Sequence, residues 1–186
     1  MLAGATHPPD ERLVHETLVH ETLVMGIGNP LCGDDGVGAR VIELLNQRRL
    51  AASSPLESRL HLADAGLPGW GLPNWLEDWQ SVFLVDAIEM GAAPGEWRCF
   101  RPEEVKLIIQ DQTLSLHQPD LACGLALAQA LEMLPERLVL YAIQPADTTP
   151  GAGLSPAVSA CLPELIDRIL EDLGKLEHGS EANSSC

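Results

Sequence analysis

The stretch TLVMGIGNPLCGDDGVGARVIELL, residues 22–45, changes its hydrophobic period partway along. Leu23 to Ile27 form a short apolar run, a Gly/Asn/Pro loop follows, and Val37, Val41, Leu44 and Leu45 then recur at helical spacing. That order predicts strand, loop, helix. In an open α/β sheet the crevice beyond the carboxyl end of such a strand is where ligands bind. The loop carries Asn29, Cys32, Asp34 and Asp35, so this crevice is acidic.

Upstream, residues 1–21 are polar and hold a direct repeat, LVHET at 13–17 and again at 18–22. Two copies of a pentapeptide cannot build a solenoid. We read 1–21 as a flexible leader in preference to a metal site formed by His15 and His20. Downstream, residues 51–55 are a small-residue linker, and Arg59 to Asp64 alternate as a second strand ending in Asp64-Ala65-Gly66. Trp70, Trp75 and Trp79, with Pro73 among them, predict a short helix whose aromatics pack on the sheet in preference to a docking surface. Ser81 to Val85 is an unbroken apolar run, the pattern of a central parallel strand, and it leads directly into Asp86.

Glu96 to Phe100 follows too soon for a crossover and reads as an edge or antiparallel strand. His117 then precedes a helix carrying Leu121, Leu125, Ala128 and Leu131. Arg137 to Ile143 is the last strand, and Ser155 caps a helix that starts at Pro156 and presents Val158, Cys161, Leu162, Leu165, Ile166, Ile169 and Leu173. The order β-α-β-α-β-β-α-β-α predicts a three-layer α/β/α sandwich with a mostly parallel, twisted sheet of about five strands. We place one domain over residues 22–173 and a disordered tail over 174–186.

Composition narrows the function. The net charge of −16 opposes the phosphate neutralisation that nucleic-acid binding requires. No apolar run approaches a membrane span of about 20 residues and no secretory leader is evident, so the expectation is a soluble, cytoplasmic monomer without nucleic-acid or membrane partners. Five cysteines without a CxxC pair indicate neither a zinc knuckle nor a disulfide framework.

Three chemistries fail on the residues. Gly26-x-Gly28 opens a dinucleotide fingerprint, but Leu31 stands at the third glycine, and Asp34 and Asp35 would repel a pyrophosphate. Neither G-x-S-x-G nor H-E-x-x-H occurs. Cys32 with His117 is a weak nucleophile–base pair, because acidic neighbours raise a thiol pKa. What survives is Asp35 on the first loop, Asp86 at the tip of the third strand and His117 before a helix. Two carboxylates and an imidazole suit Ni, Zn or Fe, without a choice among them.

The segment Gly26-x-Gly28-Asn29-x-Leu31-x-x-Asp34-Asp35-Gly36-x-Gly38, with Asp86-Ala87 and His117-Gln118 later in the chain, resembles the hydrogenase maturation protease family, the resemblance running from about Leu23 to Leu173. It implies a hydrolase, a protease with aspartyl-type endopeptidase activity, that removes the C-terminal extension of a nickel-iron hydrogenase large-subunit precursor after nickel insertion. By this resemblance Asp35, Asp86 and His117 are the catalytic and metal-contacting positions. Position 35 is Glu in many members and Asp in others. The nickel is supplied by the substrate, with no permanently bound metal, and either a carboxylate activates water or the nickel polarises the scissile carbonyl. Gly28, Asn29, Asp64 and Gly66 are substrate-docking candidates, and Asp64-Ala65-Gly66 departs from the Asp-Gly-Gly-Thr of several members, which bears on which hydrogenase is processed. The partner implied is the nickel-loaded precursor. Alternatives are a non-catalytic nickel-checking chaperone with the same ligands, or a small-molecule α/β enzyme with an acidic crevice. Of the two adjacent carboxylates, we expect Asp35 to face the crevice and Asp34 to cap the helix beginning at Gly36.

Overall fold

A computed structural model describes residues 20–51, 60–101, 103–105 and 119–181. The leader up to residue 19, His15 of the repeat, His117 and the last five residues lie outside the described residues. In chain order the elements are β1 (His20–Gly26), a 3-10 turn (Gly33–Gly36), α1 (Val37–Ala51), β2 (Leu60–Asp64), a 3-10 turn (Gly69–Gly71), α2 (Leu72–Leu76), β3 (Trp79–Ala87), β4 (Trp97–Phe100), α3 (Pro119–Ala130), β5 (Arg137–Ile143) and α4 (Pro156–Glu181).

The five strands order as β2-β1-β3-β5-β4. All pairs are parallel except β4 with β5. The expected edge strand is therefore present, but it pairs with β5 and not with the β3 that precedes it. Alternation along the strands sorts side chains onto two faces. Val24, Phe83, Val85, Val139 and Tyr141 face α1 and α4. Leu23, Met25, Val82, Leu84, Leu138 and Leu140 face α2 and α3. The result is the expected three-layer sandwich.

β1 is followed by a crossover to β2 on one side of it, and β2 by a crossover to β3 on the other. The strand order thus reverses at β1, and the carboxyl ends of β1 and β3 open a crevice at this switch point. Gly26 and Gly38 let α1 approach β1 closely: a Cβ on Gly26 would meet the Gly38 carbonyl at 2.4 Å, and one on Gly38 would meet the Ile27 carbonyl at 2.3 Å. Gly26 and Gly38 of the first motif thus serve close helix–strand packing.

Three expectations are corrected. α4 continues through Gly174 to Glu181, so residues 174–181 of the tail expected to be disordered are helical. Leu176 extends the apolar stripe onto the core, and Lys175 pairs with Glu171 and Asp172, which together offset the roughly 1 kcal/mol cost of a helical glycine. Leu131 lies past the end of α3 and is 53% exposed. Trp70 does not pack on the sheet: it is 69% exposed, whereas Trp79 packs against the core and edge-on to His61. Ser155 caps α4 as expected, its Oγ accepting from the Val158 N–H at 3.2 Å.

Candidate active site

Strand register fixes where the carboxylates fall. Gly26 of β1 stands opposite Val85 of β3, and the Ile27 N–H donates to the Val85 carbonyl at 2.9 Å. Asp86 is the next residue, so a strand buried on both faces ends on a carboxylate at the crevice floor. It is only 2% exposed. Its Oδ1 has no hydrogen-bond partner among the described residues. Burial, then the negative charge of Asp35, push its pKa up to about 8, against a small opposing contribution from the Ala87 N–H. Burial first, and the Asp35 charge second, thus favour the protonated form of Asp86.

Asp35 reaches the crevice from the β1 loop. Its Oδ2 accepts the Asn29 N–H at 2.8 Å, and Asn29 Oδ1 accepts the Leu31 N–H at 3.0 Å. The loop must pass close to itself: Gly28 has φ +118°, and a Cβ there would lie 1.9 Å from the Asp35 carbonyl. Only glycine fits, which explains why the motif holds one at this position.

Asp34 faces away from Asp35 and does something the sequence did not suggest. No side chain caps the 3-10 turn Gly33–Gly36. Asp34 instead accepts backbone N–H groups of Ala146 (2.8 Å), Asp147 (3.1 Å) and Ser155 (2.6 Å), more than 110 residues away. Burial alone would raise its pKa, but the Ser155, Ala146 and Asp147 N–H groups outweigh that and lower it. Gly33 N–H to Ala152 O, Asp34 N–H to Asp147 O and Gly151 N–H to Leu31 O complete the stitching of the β1 loop to the β5–α4 loop. The structural role expected of Asp34 holds, but it clamps a distant loop and caps no helix at Gly36.

Gln144, at the carboxyl end of β5, was not singled out from sequence. It is buried, its Oε1 accepts the Met90 and Ala92 N–H groups at 2.7 and 3.1 Å, and its amide donates to Glu89. It thereby fixes the turn that follows Asp86. The available signal was positional: like Asp86, it is the polar residue that ends an apolar strand.

The four docking candidates come together at the ends of β1 and β2. Gly26 pairs with Asp64, the Gly28 N–H donates to the Gly66 carbonyl at 2.9 Å, and Asp64 Oδ1 accepts the Gly66 N–H at 3.1 Å. Of the three expected ligands, the described residues bring Asp35 and Asp86 together. α3 begins at Pro119, two residues after His117, which lies outside the described residues. Among the described residues no cluster of three or more His, Cys, Asp or Glu forms a metal site, and no helix is long and apolar enough to cross a membrane.

Comparison with known proteins places this arrangement. A family model described as hydrogenase maturation protease matches residues 39–172. The chain is similar to the hydrogenase 2 maturation protease of Escherichia coli K12, 31% identical over 160 residues that cover 86% of this chain and 93% of that protein. It is also similar to the hydrogenase expression/formation protein HupD of Rhodobacter capsulatus, 32% identical over 151 residues, 81% of this chain and 70% of that one. Among solved structures it superposes on the hydrogenase maturating endopeptidase HybD from E. coli with a TM-score of 0.70 and 29% identity, covering 83% of this chain and 93% of the other. An acidic crevice at the β1/β3 switch point, a matching family model and these relatives lead to one conclusion: the chain belongs to the hydrogenase maturation protease family and is a peptide-hydrolysing enzyme.

Proposed function

We propose that this protein removes the C-terminal extension of a nickel-iron hydrogenase large-subunit precursor after nickel insertion, recognising substrate-bound nickel through Asp35, Asp86 and His117. The observation that supports this most is the buried, unpartnered Asp86 Oδ1 beside the charge of Asp35. In a buried site an orphaned acceptor and a retained proton both cost free energy. A divalent cation arriving with the substrate removes both penalties: it displaces the proton and gives each carboxylate a counter-charge. Oxygen and imidazole donors together suit nickel among borderline metals.

On this reading the unloaded enzyme stores an unsatisfied pair that a nickel-free precursor does not relieve, so cleavage waits for the metal. Asn29 and Gly28 hold Asp35 in place, Gln144 holds the turn beyond Asp86, and the Asp34 clamp keeps the loop wall closed behind them. The nickel ion, as part of the substrate, orients the scissile bond over the crevice.

The test is incubation with precursor prepared with and without nickel, followed by mass spectrometry of the released C-terminal peptide. Release only from the nickel-loaded form supports the reading. Tight binding of the loaded precursor without release would make the protein a nickel-checking chaperone for that substrate and overturn it.

A further inference from the structure

Two loops flank the crevice, residues 27–36 after β1 and 65–71 after β2, and both push large apolar side chains into solvent. Leu31 is 73% exposed, Trp70 69% and Leu67 50%. The exposure is built in. Leu31 is held by its own N–H on Asn29 and by its carbonyl, which accepts from Gly151. The Trp70 turn is closed by the Gly71 N–H to Pro68 O bond and seated on α3, where a Cβ on Gly124 would meet the Gly69 carbonyl at 2.7 Å. The Gly28–Gly66 bond joins the two loops. The acidic groups at this edge are Asp35 and Asp86 in the crevice and Asp64 at the end of β2.

We propose that Leu31, Leu67 and Trp70 form the docking rim for the polypeptide that flanks the metal in the large-subunit precursor, a segment both apolar and cationic. The inference rests on the function proposed above. A site that took only a free metal ion would gain nothing from apolar groups exposed beside it, and exposing them costs hydration free energy. Continuity carries the assignment: Leu31 lies on the loop that positions Asp35, and Leu67 and Trp70 lie on the loop bonded to it. Asp35, Asp86 and Asp64, beside these loops, complement a segment that carries the metal dication. Trp, the residue type of the largest exposed side chain here, is among those that dominate binding energy at protein interfaces.

The test uses initial rates of cleavage of nickel-loaded precursor as a function of its concentration. The double variant Leu31→Ser/Trp70→Ser should raise KM about tenfold or more while kcat stays within about twofold, as expected for lost anchor contacts. Leu131→Ser, at an exposed leucine just past the end of α3 and outside both loops, should leave both unchanged. The apolar replacements Leu31→Met and Trp70→Phe should restore the wild-type KM, which a purely structural role of the loops would not require. An unchanged KM in the double variant, or an equal rise in Leu131→Ser, overturns the docking rim and leaves the protease reading intact. A wild-type dimer in sedimentation that the double variant dissociates without a change in KM would assign the patch to self-association instead. Failure of the wild type to cleave the loaded precursor overturns the protease reading itself, and the rim with it.

Discussion

Replacing Asp86 by Asn should stabilise the protein while abolishing processing, and the stabilisation should depend on pH. In the folded chain the carboxyl has a pKa of about 8 against an ordinary 3.8, so between those values the folded state holds a proton that the unfolded state has released. Stability that Asp86 leaves intact below pH 4 is therefore lost as pH rises toward 8, and the loss levels off above it. At pH 7 the linkage amounts to about 4 kcal/mol, since about three pKa units lie between the unfolded titration and neutrality at 1.36 kcal/mol each. Relaxation around a buried charge lowers the realised figure to roughly 2–4 kcal/mol. An Asn amide keeps the shape, cannot ionise, and offers a donor toward Asp35. Urea unfolding of wild type and variant from pH 4 to pH 9 measures the difference: the gap should open with pH and close in acid. Parallel curves for the two proteins would refute the reasoning, because they would mean that Asp86 is not held protonated by its surroundings. A variant both more stable and inactive would identify Asp86 as a residue kept for chemistry at the expense of the fold.

Asp35→Ala should lose cleavage of nickel-loaded precursor yet keep a cooperative melt within about 1 kcal/mol of wild type, since it forfeits the Asn29 bond and little packing; loss of folding would show that the two carboxylates had been assigned the wrong way round. Asp34→Ala strands three backbone donors of the β5–α4 loop and should cost on the order of 3 kcal/mol at neutral pH. Because the Asp34 pKa is lowered on folding, its contribution is present above about pH 4 and lost as pH falls, so wild type and variant should converge in acid unfolding curves. Gly28→Ala meets both a φ of +118° and a carbonyl 1.9 Å from its Cβ, and should destabilise by more than about 3 kcal/mol or abolish folding. Gly66→Ala, at φ +57° with nothing within 4 Å, should cost only about 1 kcal/mol in the same thermal melts.

Local signals carried a long way here. The apolar runs at Leu23–Ile27, Ser81–Val85 and Arg137–Ile143 each became a parallel strand, and the stripe from Val158 to Leu173 became the buried face of α4. Asp86 was legible because a charged residue ending a fully apolar strand must sit at the strand's exit, whatever the fold around it. Gly28 was legible as a motif, though its reason, the carbonyl of Asp35 almost touching it, was not.

What the sequence by itself determined was the kind and order of the elements and the edge at which the chemistry collects, because period and turn residues act over a few positions. The tertiary structure alone decided three further things. It inserted β5 between β3 and β4. It gave adjacent carboxylates opposite tasks, with Asp34 clamping a loop more than 110 residues away and Asp35 facing Asp86. It also left Trp70 in solvent beside the crevice while Trp79 packed against the core. Each depends on partners far apart in the chain, and neighbours in sequence cannot encode which distant N–H, charge or surface a side chain will meet.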